Sequence, residues 1–233
     1  METTPYNLKN ETQIAVQQSF LPKVFSWMAA ALAVSAAAAL FTASSPAMLS
    51  LVFGSKVAFF GLIIAEFVLV LGLSAAINRL STGVAILLYM LYAVINGVTL
   101  ASIFFIYDIS VIGSTFLVTT LMFGIMSVYG YKTREDLTRF GAIMSMALIG
   151  LILAMVVNLF LHSSMMEWII SLAGVLIFVG LIAWDTQKLR LMTANIYDSE
   201  SANKMAILGA LTLYLDFINL FLFLLRLFGG RRD

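Results

Sequence analysis

Hydrophobic residues in this chain come in long blocks separated by short polar breaks, without the three-to-four-residue alternation of a soluble amphipathic helix. Apolar runs lie at about Lys23 to Phe41, Val57 to Ile77, Val84 to Ile106, Val111 to Tyr131, Phe140 to Leu161, Trp168 to Thr186 and Ala206 to Phe228. Each is near the ~20 helical residues needed to cross a ~30 Å hydrocarbon layer. The pattern therefore predicts an all-α integral membrane protein, a seven-transmembrane-helix bundle occupying residues 23–228. A polar segment, residues 1–22, precedes it, and a basic tail, residues 229–233, follows. The breaks carry turn formers, as in Ser44-Ser45-Pro46, Asn78 to Gly83 and Tyr107-Asp108-Ile109-Ser110. Pro5, Pro22 and Pro46 all fall outside the predicted spans. Small residues are expected to line helix contacts: Ala29, Ala30, Ala31, Ala33, Ala36 and Ala37 in the first span, Gly174 and Gly180 in the sixth.

Composition sharpens this picture by exclusion. With 62% hydrophobic and 11% charged residues the chain cannot clothe a soluble globule, which carries roughly 25% charged residues. A net charge of +1 gives no footprint for nucleic acid. Without cysteine there is no disulfide or thiolate chemistry, and the single histidine, His162, cannot form a paired metal motif. The methionines and phenylalanines read as packing or lipid-facing side chains, and no cofactor is expected. The polar lead of residues 1–22 is too long for a cleaved signal, so the first run reads as a retained helix despite the small Ala43-Ser44-Ser45.

Positive charge then sets the expected orientation. With the amino terminus in the cytoplasm, the inner segments hold Lys9, Lys23, Arg79, Lys132, Arg134, Arg139, Lys188, Arg190 and Lys204, whereas the outer loops hold Lys56 beside Asp108 and Glu167. Seven crossings place Arg226, Arg231 and Arg232 outside, against this rule, so the last segment is read as a crossing with a re-entrant path as the alternative. Two inner loops have structure-forming residues. Thr133 and Asp136 resemble a capping box, and Asp198, Ser199, Glu200 and Ser201, within the loop Asn195 to Asn203, are available as caps.

Three acids fall inside spans: Glu66, Asp185 and Asp216. A carboxylate at that depth costs several kcal/mol unless another group answers it. Asp185 and Asp216 are the acids of the last two spans, and two carboxyls in contact can share a proton, which makes a proton-sensitive pair. Asp185 lies ~27 Å along its helix from Glu167, toward the face where Arg79 ends the second span, so Arg79 is a rival partner for it. Asn219 shares a face with Asp216 and is placed to hydrogen-bond it. Plainer readings stand beside these: Asp185 pairs with Lys188 at the membrane border, Asp216 is a structural acid, and Glu66 packs against Asn96 or a tyrosine rather than supporting a pore.

The residues around the two aspartates, Asp185-Thr186-Gln187-Lys188-Leu189, Leu213 to Phe221 and Leu224 to Gly229, resemble the Bax inhibitor-1 family, nearest its bacterial inner-membrane branch. Met122-Phe123-Gly124, Tyr129-Gly130-Tyr131 and Ala206 to Leu211 extend the likeness over nearly the whole chain after the first 20 residues. The resemblance implies seven helices with the last one central, an inner (plasma) membrane location and a pH-sensitive calcium leak. It also implies a sensor pair, Asp185 and Asp216, with Arg79 as latch. Calcium is then the transported ion, touching Asp185 and Asp216 only transiently, because two carboxylates and Asn219 are too few oxygens for a tight site. The partners expected are the lipid bilayer, calcium ions and a membrane protease or other membrane protein. Two other classes compete: a non-conducting regulator bound to such a partner, and an intramembrane aspartyl protease. The protease reading is weakened because Leu213-Tyr214-Leu215 precedes Asp216 where that chemistry carries a glycine-flanked motif.

Overall fold

A computed structural model describes residues 5–193 and 198–229. Lys9 has no described side chain, and residues 194–197, Arg231 and Arg232 lie outside the described residues, so the calls made on them are not placed. The described chain is all-α: α1 (Pro5–Ser44), α2 (Pro46–Phe53), α3 (Lys56–Ala76), α4 (Thr82–Leu100), α5 (Ile103–Ile106), α6 (Ile109–Lys132), α7 (Thr138–Leu161), α8 (Ser164–Met192) and α9 (Ser199–Phe228). Seven stretches are long and apolar enough to cross a membrane, at 17–44, 56–76, 82–106, 109–132, 138–161, 164–192 and 199–228. They match the seven apolar runs, and α9 is the most buried of them. The exposed faces are apolar: α3 presents Phe60, Ile64, Phe67, Val68 and Leu71 outward, one stripe at helical spacing, as a helix surrounded by hydrocarbon does.

Local sequence explains most boundaries. Ser45, Ser55 and Ser81 cap α2, α3 and α4, each side-chain oxygen accepting from a backbone N–H three residues on. At the end of α7, His162 closes the helix in the left-handed conformation, with φ of 50°. The Asp198 carboxylate accepts the Ser201 N–H at 2.8 Å and starts α9 at Ser199, about two turns before Ala206.

Four expectations are corrected. Pro22 lies inside α1, because the first span begins at Gln17 and the helix continues through the proline. The third span is not one helix: Ala101 N–H is shared between Gly97 and Val98 carbonyls, Ser102 N–H reaches Thr99, and the tightened turn separates α4 from α5. The Thr133 to Asp136 segment is not a capping box. Thr133 Oγ1 accepts from Glu135 N–H and Asp136 from Thr138 N–H, two separate side-chain turns, while Leu137 stands at the cap position of α7. In α1 the alanines named from sequence are mostly outward. Ala29, Ala33, Ala36 and Ala37 are exposed, and the buried stripe is Ala31, Ser35 and Ala39 at four-residue spacing.

The helices form two compact units, one of residues 1–102 with 192–214 and the other of 103–191 with 215–233. In the first, Gly97 of α4 lies so close to α1 that an added Cβ would overlap the Ser35 carbonyl oxygen. In the second, Gly130 of α6 abuts the Ala183 carbonyl and Gly141 of α7 abuts the Trp184 ring, both on α8. Gly174 faces the Phe223 ring and Gly180 faces Phe140 and Met144, as expected for small residues at helix contacts. Substituting valine at Gly97 or Gly130 is expected to lower the detergent melting temperature sharply, since overpacking costs about 1–3 kcal/mol or more. Valine at Gly124, which has open space around it, is expected to leave the melting temperature unchanged. Equal melting curves for all three variants would refute the close helix crossings.

The start of α9 also responds to pH. Hydrogen bonds from Ser201 hold the exposed Asp198 carboxyl below its ordinary value. Its contribution is complete above the carboxylate's unfolded pKa and is lost as pH falls through the lowered folded one. Amide exchange in the first turn of α9, corrected for intrinsic pH dependence, is expected to accelerate in Asp198→Ala at neutral pH and to differ little from wild type in strong acid. A wild-type first turn unaffected by the substitution at neutral pH would dismiss the cap.

Candidate functional site

The second unit brings Asp185 and Asp216 together. Asp185 sits seven residues before the end of α8 and Asp216 follows seventeen residues after the start of α9. Their side chains share a hydrogen bond. Such a bond between two carboxyl groups requires that one of them carry the proton and donate it. Both are buried, at 7% and 5% relative exposure, so water cannot replace that bond freely. Asp216 Oδ2 has no hydrogen-bond partner among the described residues, and neither does Thr186 Oγ1 beside Asp185. The pair is therefore held polar and incompletely satisfied in an apolar setting, the arrangement most sensitive to gaining or losing a charge.

Packing fixes where the two acids sit. The contacts of Gly130 with Ala183 and of Gly141 with Trp184 seat α6 and α7 against the two residues immediately preceding Asp185. On the other side, Phe217, next to Asp216, meets Phe116 and Phe123 edge-on at centroid distances of 5.4 and 5.6 Å, and Phe221 meets Phe116 at 6.1 Å. These rings belong to α6 and α9 and pack the two helices together at the residue after Asp216. Lys188, one turn beyond Asp185, is exposed, acts on its charge, and lies over the Trp184 ring at 5.0 Å. The border pairing considered from sequence is thus present as a through-space attraction beside the aspartate contact.

Sequence reasoning overlooked Gln187. Its amide donates to the Glu135 carbonyl at 2.7 Å and its Oε1 accepts Leu137 N–H at 2.8 Å, pinning the loop between α6 and α7 to the helix that carries Asp185. Arg190 adds bonds to the Tyr131 and Thr133 carbonyls. The signal available was an uncharged amide two residues after Asp185 and only 3% exposed in the fold, since a buried amide needs partners.

The remaining candidates are placed as follows. Asn219 makes no hydrogen bond to Asp216; its amide donates instead to the Leu215 carbonyl at 2.8 Å, one turn back on its own helix. Arg79 is exposed in the turn after α3, in the first unit. Glu66, also in the first unit, is half-buried and accepts from Asn96 Nδ2 at 3.1 Å and Thr99 Oγ1 at 2.6 Å, the Asn96 contact being one of the two plain alternatives for it. Among the described residues no cluster of three or more metal-ligating side chains occurs.

A sequence model described as inhibitor of apoptosis-promoting Bax1 matches residues 17–233. The chain belongs to the Bax inhibitor-1 family. Bax inhibitor-1 relatives include inner membrane protein YbhL of Escherichia coli strain K12, 50% identical over 217 residues that cover 92% of this chain and 93% of that protein. A Borreliella burgdorferi protein is 42% identical over 226 residues, 97% of either chain. A membrane protein of Streptococcus pyogenes serotype M3 is 38% identical over 185 residues, covering 78% and 79%. Neither the family description nor these names denotes an enzyme. As a member of the Bax inhibitor-1 family the chain is a multi-pass membrane protein, in keeping with its seven spans.

Replacing Gln187 by leucine removes the partners of one backbone donor and one acceptor of the connecting loop, at about 1–3 kcal/mol for the buried Leu137 N–H. The variant is expected to melt at lower temperature and to be cut faster by protease between α6 and α7. Unchanged proteolysis of that loop would show that the clamp does not hold it.

Proposed function

We propose that this protein is a pH-sensitive calcium leak channel of the inner membrane, gated by protonation of the Asp185 and Asp216 pair. The observation that carries the reading is the buried hydrogen bond between two carboxyls on the last two helices, with one oxygen of Asp216 unpartnered. Removing the shared proton leaves two like charges in contact. At ~4 Å and an effective dielectric near ~20 their repulsion is ~4 kcal/mol, sufficient to shift a helix equilibrium by two to three orders of magnitude. The freed carboxylates then attract a cation, and hard oxygen donors suit calcium. So few ligands favour passage over storage. Arg79 is the latch that the family resemblance assigns, offering Asp185 a positive partner when the pair separates. The inner-membrane location rests on the name of the Escherichia coli relative, and a cytoplasmic amino terminus rests on the distribution of lysine and arginine.

The test is calcium flux into dye-loaded liposomes across pH, with wild type, Asp185→Asn, Asp216→Asn and Arg79→Ala. Flux above that of empty vesicles is expected in the wild type, with its pH response flattened by either aspartate substitution and its midpoint moved by Arg79→Ala. Whether acid opens or closes the path is read from the same traces. Equal, pH-independent traces for all four proteins would remove the gating role from the aspartates. Absence of flux together with a stable co-purifying membrane protein whose activity changes would replace the channel by a regulator.

A further inference from the structure

A second polar system lies in the first unit, and its hydrogen atoms do not balance. Glu66 of α3 faces Asn96 of α4 at 3.1 Å. Tyr214 Oη of α9 lies 2.8 Å from Asn96 Oδ1, Ser35 Oγ of α1 lies 2.7 Å from Tyr214 Oη, and Ser35 Oγ lies 2.7 Å from the Ala93 carbonyl. With an ionised Glu66 the line from Glu66 to Ala93 has four contacts but three hydrogens to fill them, one each from Asn96, Tyr214 and Ser35. The shortage falls among the two hydroxyls, because both ends of their segment, Asn96 Oδ1 and the Ala93 carbonyl, are acceptors. Ser35 and Asn96 are 2% and 8% exposed and Tyr214 is fully buried, so bulk water is not at hand to supply the missing donor.

One added proton completes the line if the Asn96 amide turns over. Protonated Glu66 then donates to Asn96 Oδ1, Asn96 Nδ2 donates to Tyr214 Oη, Tyr214 donates to Ser35 Oγ, and Ser35 donates to the Ala93 carbonyl. Every contact holds a hydrogen, and Thr99 Oγ1 still donates to the other oxygen of Glu66. The two orientations of an asparagine amide occupy nearly the same volume, so the exchange needs no repacking. We propose that Glu66 and Asn96 form a second proton-binding site, whose occupancy turns the Asn96 amide and reverses the hydrogen bond between Asn96 and Tyr214, freeing the Tyr214 hydroxyl to donate to Ser35.

The titratable side chains near Glu66 are Tyr92 of α4 and Tyr214 of α9, and Tyr89 of α4 adjoins Tyr214 edge-on at 6.4 Å. The short helix α2, which also packs on α3, has no titratable residue. Lys56 stands at the first position of α3, Lys23 of α1 bonds Asn203 at 2.7 Å, and Lys204 pairs with Glu200 at 2.9 Å at the start of α9. Among the described residues of this unit no base pairs with Glu66. This site shares no residue with the aspartate pair, and its test does not depend on ion conduction.

The experiment is side-chain amide NMR of asparagine-labelled protein in lipid nanodiscs, titrated from about pH 4 to about pH 9. The Asn96 amide, assigned by its loss in Asn96→Asp, is expected to move as a single-proton titration in wild type and to persist in Asp185→Asn and Asp216→Asn. In Glu66→Gln, which keeps the shape and supplies a permanent donor, Asn96 is expected to stay at the low-pH wild-type position at every pH. Tyr214→Phe cuts the line, and there the Asn96 shift between the two states is expected to shrink while still following pH. A static Asn96 signal in wild type, or one that still titrates in Glu66→Gln, would overturn the proposal.

Discussion

Polar groups carried into hydrocarbon must find partners inside the protein, and most of what is distinctive in this chain follows from that demand. Helices satisfy their own backbones, which is why the described structure is entirely helical. The intramembrane carboxyls cannot satisfy themselves. Each is answered differently: Asp216 by a second carboxyl, and Glu66 by an amide and a hydroxyl. The first solution places a proton between two carboxyls, and the second, with Glu66 ionised, leaves a line of contacts one hydrogen short.

Both arrangements depend on backbone approach rather than on the acids. Gly130 and Gly141 bring α6 and α7 onto the stretch of α8 just before Asp185, and Gly97 brings α4 onto Ser35 of α1. A side chain at any of these positions would push apart helices whose polar groups meet over less than 3.2 Å. Burial of Asp185 and Asp216 complements this, since a change of charge there is felt by the protein instead of being screened by water. The last helix joins the two themes, since Tyr214 and Asp216 stand two residues apart on α9 and serve different units.

Membership of the Bax inhibitor-1 family and the seven spans agree with what the residues around Asp185 and Asp216 suggested. The channel reading goes further than either and stands on the chemistry of the carboxyl pair. Gln187 and Arg190 add that the α6 to α7 connection is tied to α8 within a turn or two of Asp185.

The sequence by itself determined the span count, the approximate span limits, the all-α class and the identity of the buried acids, because length and hydropathy report directly on transfer into lipid. It also contained the caps of α2, α3, α4 and α9, since capping is decided within four residues. Tertiary structure alone decided which partner each polar group takes. Asn219 looked available to Asp216 yet turned to Leu215, Ala29, Ala33, Ala36 and Ala37 of α1 faced outward while Ser35 turned in, and Asn96 joined Glu66 to a tyrosine 118 residues away. Helical periodicity says which residues share a face of one helix, whereas the choice of partner depends on how helices cross, and crossings are set by shape at a few glycines that hydropathy does not register.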